Sequence, residues 1–323
     1  MQNNSELTII IPFKNEGDEL FRTLKSIRDT ASDTVAIVVI NDFSDDGYDY
    51  GTAVKPYGVR YIELYKSIGP ARARDLGVRA CETEYFVLMD AHMRLYQKNW
   101  PEKILRNLKQ NPNSIICSAT NDISNPDTDE TYSGGAYGAF VYFEPGFEYT
   151  IRWLDSEPSS LPELEEVREV ICVLGAFYAS TKTHWKNING LAGLDGFGFE
   201  EPWISLKTWL AGGKCLNLKG FTTGHLYRRT PPAKIAYEKY YANQILLNFF
   251  FTKDEDLRKK YDDNLKKQIG DEMYQKAWQE FNSRRPEIGA FKANFYQNTA
   301  KISMDDFLAK NQSVATLPKN SKM

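Results

Sequence analysis

Three short runs of almost unbroken apolar residues, each ending abruptly in polar ones, constrain this chain more than any other feature. They are Leu7 to Pro12 (LTIIIP), Val35 to Ile40 (VAIVVI) and Tyr85 to Met89 (YFVLM). Runs this uniform and this rich in β-branched residues belong to strands covered on both faces, as in a parallel sheet. After the first, FKNEGDE forms a polar turn, and Leu20, Leu24 and Ile27 then fall at helical spacing. A further strand, Val59 to Leu64, leads to Gly69-Pro70, which opens a helix reaching about Cys81, with proline in its first turn. Strands alternating with helices give a doubly wound α/β half, in which ligands sit beyond the carboxyl ends of the strands.

The polar residues gather where that rule places a ligand. Asn15 and Glu16 follow the first strand, Asp42 the second, and Asp90-Ala91-His92 the central one. If the strand continues through them, Asp90 and His92 share a face across Ala91, one carboxylate and one imidazole of a divalent-metal site. Taken alone, a D-x-H reads first as a turn cap beside a polar neighbour. No G-x-G-x-x-G follows the first strand, so a dinucleotide-binding dehydrogenase is set aside.

Composition narrows the classes further. The 323 residues are 42% hydrophobic and 26% charged, the profile of an ordinary globular chain, and a net charge of -3 carries no nucleic-acid footprint. No apolar run approaches the roughly 20 residues needed to cross a bilayer, and MQNNSEL lacks a charged region followed by an apolar one. A cytoplasmic protein is therefore expected. Cys81, Cys117, Cys172 and Cys215 are scattered without a C-x-x-C pair and read as buried thiols.

Downstream, Asn99 to Asn111 reads as a helix, Ser114 to Thr120 as a strand, and residues 121–135 as a polar loop. Ala136 to Glu144 and Phe147 to Leu154 form a strand pair, and 155–166 a mobile surface loop. Val170 to Ser180 reads as a buried strand in which Gly175 marks a close backbone approach. A helix over Glu200 to Leu210 stops at Gly212-Gly213, and a strand over Lys214 to Thr223 ends in Gly224-His225-Leu226-Tyr227-Arg228-Arg229. From about Pro231 the pattern becomes helical. Its aromatic and basic residues, Tyr237, Tyr240, Tyr241 and Phe249 to Phe251 among them, suit either core packing or a partner or peripheral membrane surface. The last dozen residues read as disordered. Division at 229 separates a catalytic domain, 1–229, from a helical C-terminal extension, 230–323.

IPFKNEGDELFRTLKSI, VINDFSDDG and GPARARDLGVRACETEYFVLMDAH resemble the nucleotide-binding half of the GT-A glycosyltransferases of the family 2 superfamily. LGAFYASTKTHWKNINGLAGLDGFGFEEPWISLKTWLAGGKCLNLKGFTTGHLYRR is similar to a second motif block, nearest to that of polypeptide N-acetylgalactosaminyltransferases. The resemblance spans roughly residues 7 to 229, with its motifs in order. It implies a GT-A fold, an α/β architecture with a mostly parallel sheet flanked by helices, and a helical C-terminal appendage. It implies a UDP-sugar donor bound by Phe13, Asn15, Glu16 and Asp42, with Arg74 and Asp90 near the donor. Asp90, His92 and His225 would hold manganese, or magnesium, and Arg228, with Arg229 beside it, would approach the diphosphate. Imidazole with carboxylate suits manganese better than magnesium. Glu200 and Glu201 are the candidate catalytic pair. In inverting members an acid here acts as general base; in the polypeptide-transferase branch, which retains configuration, Glu200 binds sugar and no base is needed. The likeness to that branch favours retention. His184, after Thr183 at a helix start, reads as a surface residue. The resemblance thus implies metal-dependent transfer of a hexose or N-acetylhexosamine to a glycan or polypeptide hydroxyl. The alternative is a sugar-nucleotide-binding scaffold without turnover.

Overall fold

The computed structural model describes residues 5–131, 136–143, 149–153, 163–228, 230 and 233–315. The first half alternates as the apolar runs predict. Strand β1 (Leu7–Phe13) leads to helix α1 (Asp18–Ala31), β2 (Ala36–Asn41), the short α2 (Tyr50–Ala53), β3 (Arg60–Glu63), α3 (Pro70–Ala80) and β4 (Tyr85–Met89). β1 lies between β2 and β4, parallel to both, and β2 is parallel to β3. The second half departs from this plan. β5 (Met93–Leu95), α4 (Trp100–Gln110), β6 (Ser114–Asn125), β7 (Glu130–Thr131) and the hairpin of β8 (Ala139–Phe143) with β9 (Tyr149–Trp153) come next. β10 (Val167–Glu169), β11 (Phe177–Thr181), α5 (Lys182–Asn187), α6 (Glu200–Leu210) and β12 (Lys214–His225) follow. The main sheet runs β10-β12-β6-β11-β4-β1-β2-β3, with β11 antiparallel to both β4 and β6. It is thus a mixed sheet, parallel where the uniformly apolar strands lie.

Alternate residues of each strand feed opposite faces, as the two-residue period requires. Ile10, Val38, Phe86, Leu88 and Cys215 pack on one face, under α3 and α6. Ile9, Ile11, Val39, Val87 and Met89 pack on the other, under α1 and α4. The C-terminal helices α7 (Tyr237–Phe251), α8 (Glu255–Ile269), α9 (Asp271–Asn294) and α10 (Met304–Ala315) join the first of these cores. Trp203 of α6 meets Phe250 and Phe251 of α7 edge-on at 4.8 and 5.4 Å. Each such buried ring contributes about 1.5–3 kcal/mol. Phe250 and Phe251 are therefore core residues rather than a membrane-facing stripe, whereas Tyr237 is 53% exposed. Among the described residues no helix is long and apolar enough to cross a membrane.

Several boundaries differ from expectation. Residues 170–176 are buried but not a strand; β11 begins only at Phe177. Their polar backbone is satisfied piecemeal: Val170 N–H donates to Cys215, Cys172 and Ala139 exchange bonds, and the Val173 N–H donates to Ser205 Oγ. β6 runs on to Asn125, into what reads as a polar loop, because β12 pairs with it as far as His225 opposite Asp122. Sequence expectations that fall on residues 1–4, 132–135, 144–148, 154–162, 229, 231–232 and 316–323 lie outside the described residues.

Candidate active site

Asp90 and His92 do not share a strand face. β4 ends at Met89, and Asp90 to His92 form the turn into β5. Register then completes the site. β5 is antiparallel to β12 with Met93 opposite His225, so the residue before β5 and the last residue of β12 become neighbours. The His92 and His225 rings lie 4.7 Å apart, and His225 Nε2 is 3.5 Å from Asp90 Oδ2. Ligand atoms of Asp90, His92 and His225 all fall within 4.8 Å of one another. Glu16 sits 3.2 Å from His92 Nδ1, which leaves Nε2 for an ion; a carboxylate behind a ligating imidazole is how metal sites orient their histidines. The buried His225 Nδ1 has no partner among the described residues. One carboxylate and two imidazoles fit a divalent transition metal.

Arg74 stands behind this cluster. Projecting from α3, it donates to Asp90 at 2.6 Å and to Glu200 at 3.1 Å, tying the metal-side carboxylate to the N-terminus of α6. Burial opposes the Arg74 charge, but Asp90, Tyr178 and Glu200 outweigh it and hold it ionised. Burial likewise works against the Asp90 carboxylate, yet Arg74, His225 and His92 together keep it below the ordinary carboxylate range. Burial pushes Glu200 up, against the pull of Arg74.

Glu201 differs. Every other residue of α6 is buried, whereas Glu201, which lines the cleft with Glu200 and Pro202, is half-buried. Burial of its carboxyl, then the charge of Glu200, raises it to about 7. Gly175 makes the room, since a Cβ there would collide with the Glu201 carboxylate. The close backbone approach expected at this glycine is therefore an approach to Glu201.

These groups line one cleft of about 550 Å³, with Arg74, Asp90 and His92 at one end and Glu200, Glu201 and Tyr178 along it. Arg228 lines it too and donates to Glu16 at 2.7 Å. Phe13, Asn15 and Asp42 do not line it. Phe13 is buried against Tyr50, and Asn15 clasps Asp45 through its side-chain amide. Asp42 accepts from Ser67 Oγ and the Ile68 and Gly69 N–H groups, so its carboxylate holds the loop that opens α3. Arg229 lies outside the described residues.

His184 is not a surface residue. It is 1% exposed and bonds Thr208 Oγ1 through Nε2 at 3.0 Å. Sequence reasoning passed over Tyr178, whose buried hydroxyl has no partner among the described residues although the side chain lines the cleft. Nothing in an apolar run marks one tyrosine as different.

The three residues that could hold a metal ion thus sit at the carboxyl ends of a part-parallel sheet, where ligands of α/β folds bind, beside a buried arginine and a carboxylate pair. Residues 8–158 match the family described as Glycosyl transferase family 2. The rat protein "Polypeptide N-acetylgalactosaminyltransferase 10" is 30% identical over 239 residues, 71% of this chain and 39% of its own. The Caenorhabditis elegans "Polypeptide N-acetylgalactosaminyltransferase 5" is 26% identical over 245 residues, 72% of this chain and likewise 39% of its own. The chain thus spans well under half the length of these relatives. The solved structure of GalNAc-T7 with UDP, GalNAc and Mn2+ superposes with a TM-score of 0.74 at 20% identity, covering 96% of this chain and 57% of that one. Residues 8–158 thus match glycosyl transferase family 2, and the chain has the GT-A fold of the GalNAc-T7 structure.

Proposed function

We propose that this protein transfers a hexose or N-acetylhexosamine from a uridine diphosphate donor to an acceptor hydroxyl, with manganese at Asp90, His92 and His225. The convergence of those three side chains, from a turn and a strand end 133 residues apart in sequence (225 − 92), carries the reading. Its support from relatives is that they are polypeptide N-acetylgalactosaminyltransferases and that GalNAc-T7 was solved with UDP, GalNAc and Mn2+. When bound, the cation would offset the charge of the departing diphosphate. Arg228 offers charge-assisted donors on the same side of the cleft. Arg74 keeps Asp90 ionised and positions Glu200, whose carboxylate would accept from the hydroxyls of a bound sugar.

The Glu201 environment favours inversion over the retention that the resemblance implies. Glu200 is held by Arg74, whereas Glu201 opens to the cleft and is raised to about 7. A base is most effective when its pKa lies near the working pH. Glu201 would accept the acceptor hydroxyl proton as that oxygen attacks the sugar carbon from the face opposite the diphosphate.

The test is UDP release from UDP-glucose, UDP-galactose and their N-acetylated forms, with manganese and again with EDTA. Release that chelation stops supports the transferase. UDP binding without release from any donor, whatever acceptor is supplied, would leave the scaffold alternative standing. Proton NMR of the product decides stereochemistry: a β-linkage from the α-linked donor is expected, and an α-linkage would return Glu201 to a passive role.

A further inference from the structure

Along the same cleft the chain holds exposed aromatic rings in place. Phe197, 53% exposed, lies nearly parallel to Tyr240 of α7, with planes 16° apart and centroids at 6.4 Å. Phe199 leans on the same tyrosine at 4.9 Å. Tyr227, which also lines the cleft, is 51% exposed and packs edge-on against His225 at 4.2 Å.

This ledge is built rather than incidental. Gly198, at φ +102, has no side chain where a Cβ would come within 2.6 Å of the Tyr240 ring, so the ring lies against bare backbone. One turn on, the fully buried Asn243 accepts from the Asp195 N–H and donates to the Asp195 and Gly198 carbonyls. An asparagine bonded three times to one loop bolts α7 to the segment that carries Phe197. Large apolar rings left exposed on a rigid support are what a preorganised binding surface requires.

The chemistry of the surface selects its occupant. Aromatic faces carry negative charge density and attract the polarised C–H bonds of a pyranose face, while the nearby Glu200 and Glu201 carboxylates accept from its hydroxyls. A peptide binding by strand addition would want a free strand edge, and β11 and β12, which bring Tyr178 and His225 to the cleft, are both paired within the sheet. We propose that the Phe197–Tyr240 ledge is the acceptor subsite and takes a sugar ring, so that the acceptor is a glycan and α7 supplies part of its binding site. This rests on the glycosyltransferase reading above.

Saturation-transfer NMR on the full chain tests it, with and without UDP and manganese. The probes are methyl glycosides and short oligosaccharides ending in glucose, galactose, N-acetylglucosamine or N-acetylgalactosamine, alongside threonine-containing peptides. Ring protons of at least one saccharide should be saturated. Phe197→Leu and Tyr240→Leu should each weaken its binding about tenfold, near the upper end of one aromatic contact, while Tyr240→Phe, which keeps the ring, restores it. Melting curves identify any variant that fails to fold, and the exposed Phe197 is the safer of the two. Peptide binding without saccharide binding, saccharide binding indifferent to both leucine substitutions, or no saturation from any saccharide overturns the ledge. A calorimetric UDP titration of the unaltered protein separates the two ideas: absence of UDP binding defeats the donor reading, while saccharide saturation without UDP still reports on the ledge.

Discussion

Two networks of buried charge lie side by side in this molecule and share the same two helices. On α3, Arg74 enters the cleft, while its neighbour Asp75 accepts from Trp185 Nε1 at 2.8 Å and the Leu191 N–H at 3.1 Å. On α6, Glu200 and Glu201 open the helix at the cleft, and Lys207 and Thr208 lie two turns on, fully buried. Lys207 Nζ donates to the Ile188 carbonyl at 2.9 Å and to that of Gly190, and sits 4.4 Å from the Trp203 ring centre. Both networks have strongly displaced pKa values. Burial drives Lys207 well down against the pull of Asp75, and burial raises Glu201. Displacement therefore does not distinguish function from architecture. Access to the cleft does: Arg74, Glu200, Glu201 and Tyr178 line open volume, whereas the fully buried Lys207 and the half-buried Asp75 do not line it and are bonded to backbone and to Trp185.

The largest effect expected from breaking the first network alone is at the metal ligands. His92→Ala and His225→Ala should each lower transfer by roughly 10³-fold or more, the scale of several kcal/mol of leaving-group stabilisation. Melting temperature should change little for His92, which closes a turn. Manganese titration followed by UDP release measures both. Full metal-dependent activity in His225→Ala would remove it from the ligand set.

Next in size is Glu201→Gln, expected to lower the transfer rate by about 10²–10⁴, the range of a lost general base. Stability should move the other way. A carboxyl whose folded pKa is raised contributes stability below its ordinary pKa and loses it as pH rises through the folded value, here from about 4.5 to about 7. The substitution should therefore stabilise the fold above pH 7 by on the order of 1–3 kcal/mol, read from denaturant midpoints at pH 5 and 8. A variant that loses activity without gaining stability at pH 8 would mean that Glu201 is not held near neutrality.

The difference between the networks also explains what was legible in the sequence. Strands β1, β2 and β4 are visible because covered apolar runs leave a local signature, which the half-exposed β3 lacks. Asp90, His92 and His225 are visible as motif residues, yet their meeting depends on the β5–β12 register, which two remote segments decide jointly. Residues 170–176 mimic a strand because burial, not pairing, makes them apolar. His184 looks like a helix-start surface residue because its cover comes from Thr208, 24 positions away. Asp42 looks like a ligand-binding acid because nothing local reveals that residues 67–69 occupy its oxygens.

Within the sealed network, Lys207→Met should cost stability and leave turnover per folded molecule within about twofold. The methionine fills the space but strands two carbonyls and the Asp75 charge, a loss of about 1–3 kcal/mol for unsatisfied buried groups. A selective loss of turnover at unchanged melting temperature would join the two networks and erase the distinction between them.

The smallest effect, and the sharpest test of closure, is the pH dependence contributed by His184. Burial, then the nearby Lys207 charge, lowers its imidazole to about 4, so it stays neutral in the fold. A group with a depressed folded pKa contributes stability that is present above its ordinary value, near 6.5, and lost as pH falls towards the folded one. Between pH 7 and 5 this single residue should remove about 2 kcal/mol from the folding free energy. His184→Gln keeps an amide to bond Thr208 but does not titrate, so its denaturation midpoint should fall less over that interval, while transfer at pH 7 is unchanged. If the variant and the unaltered protein lose stability in parallel, His184 is protonated inside the fold, and the interior taken here as sealed must admit water.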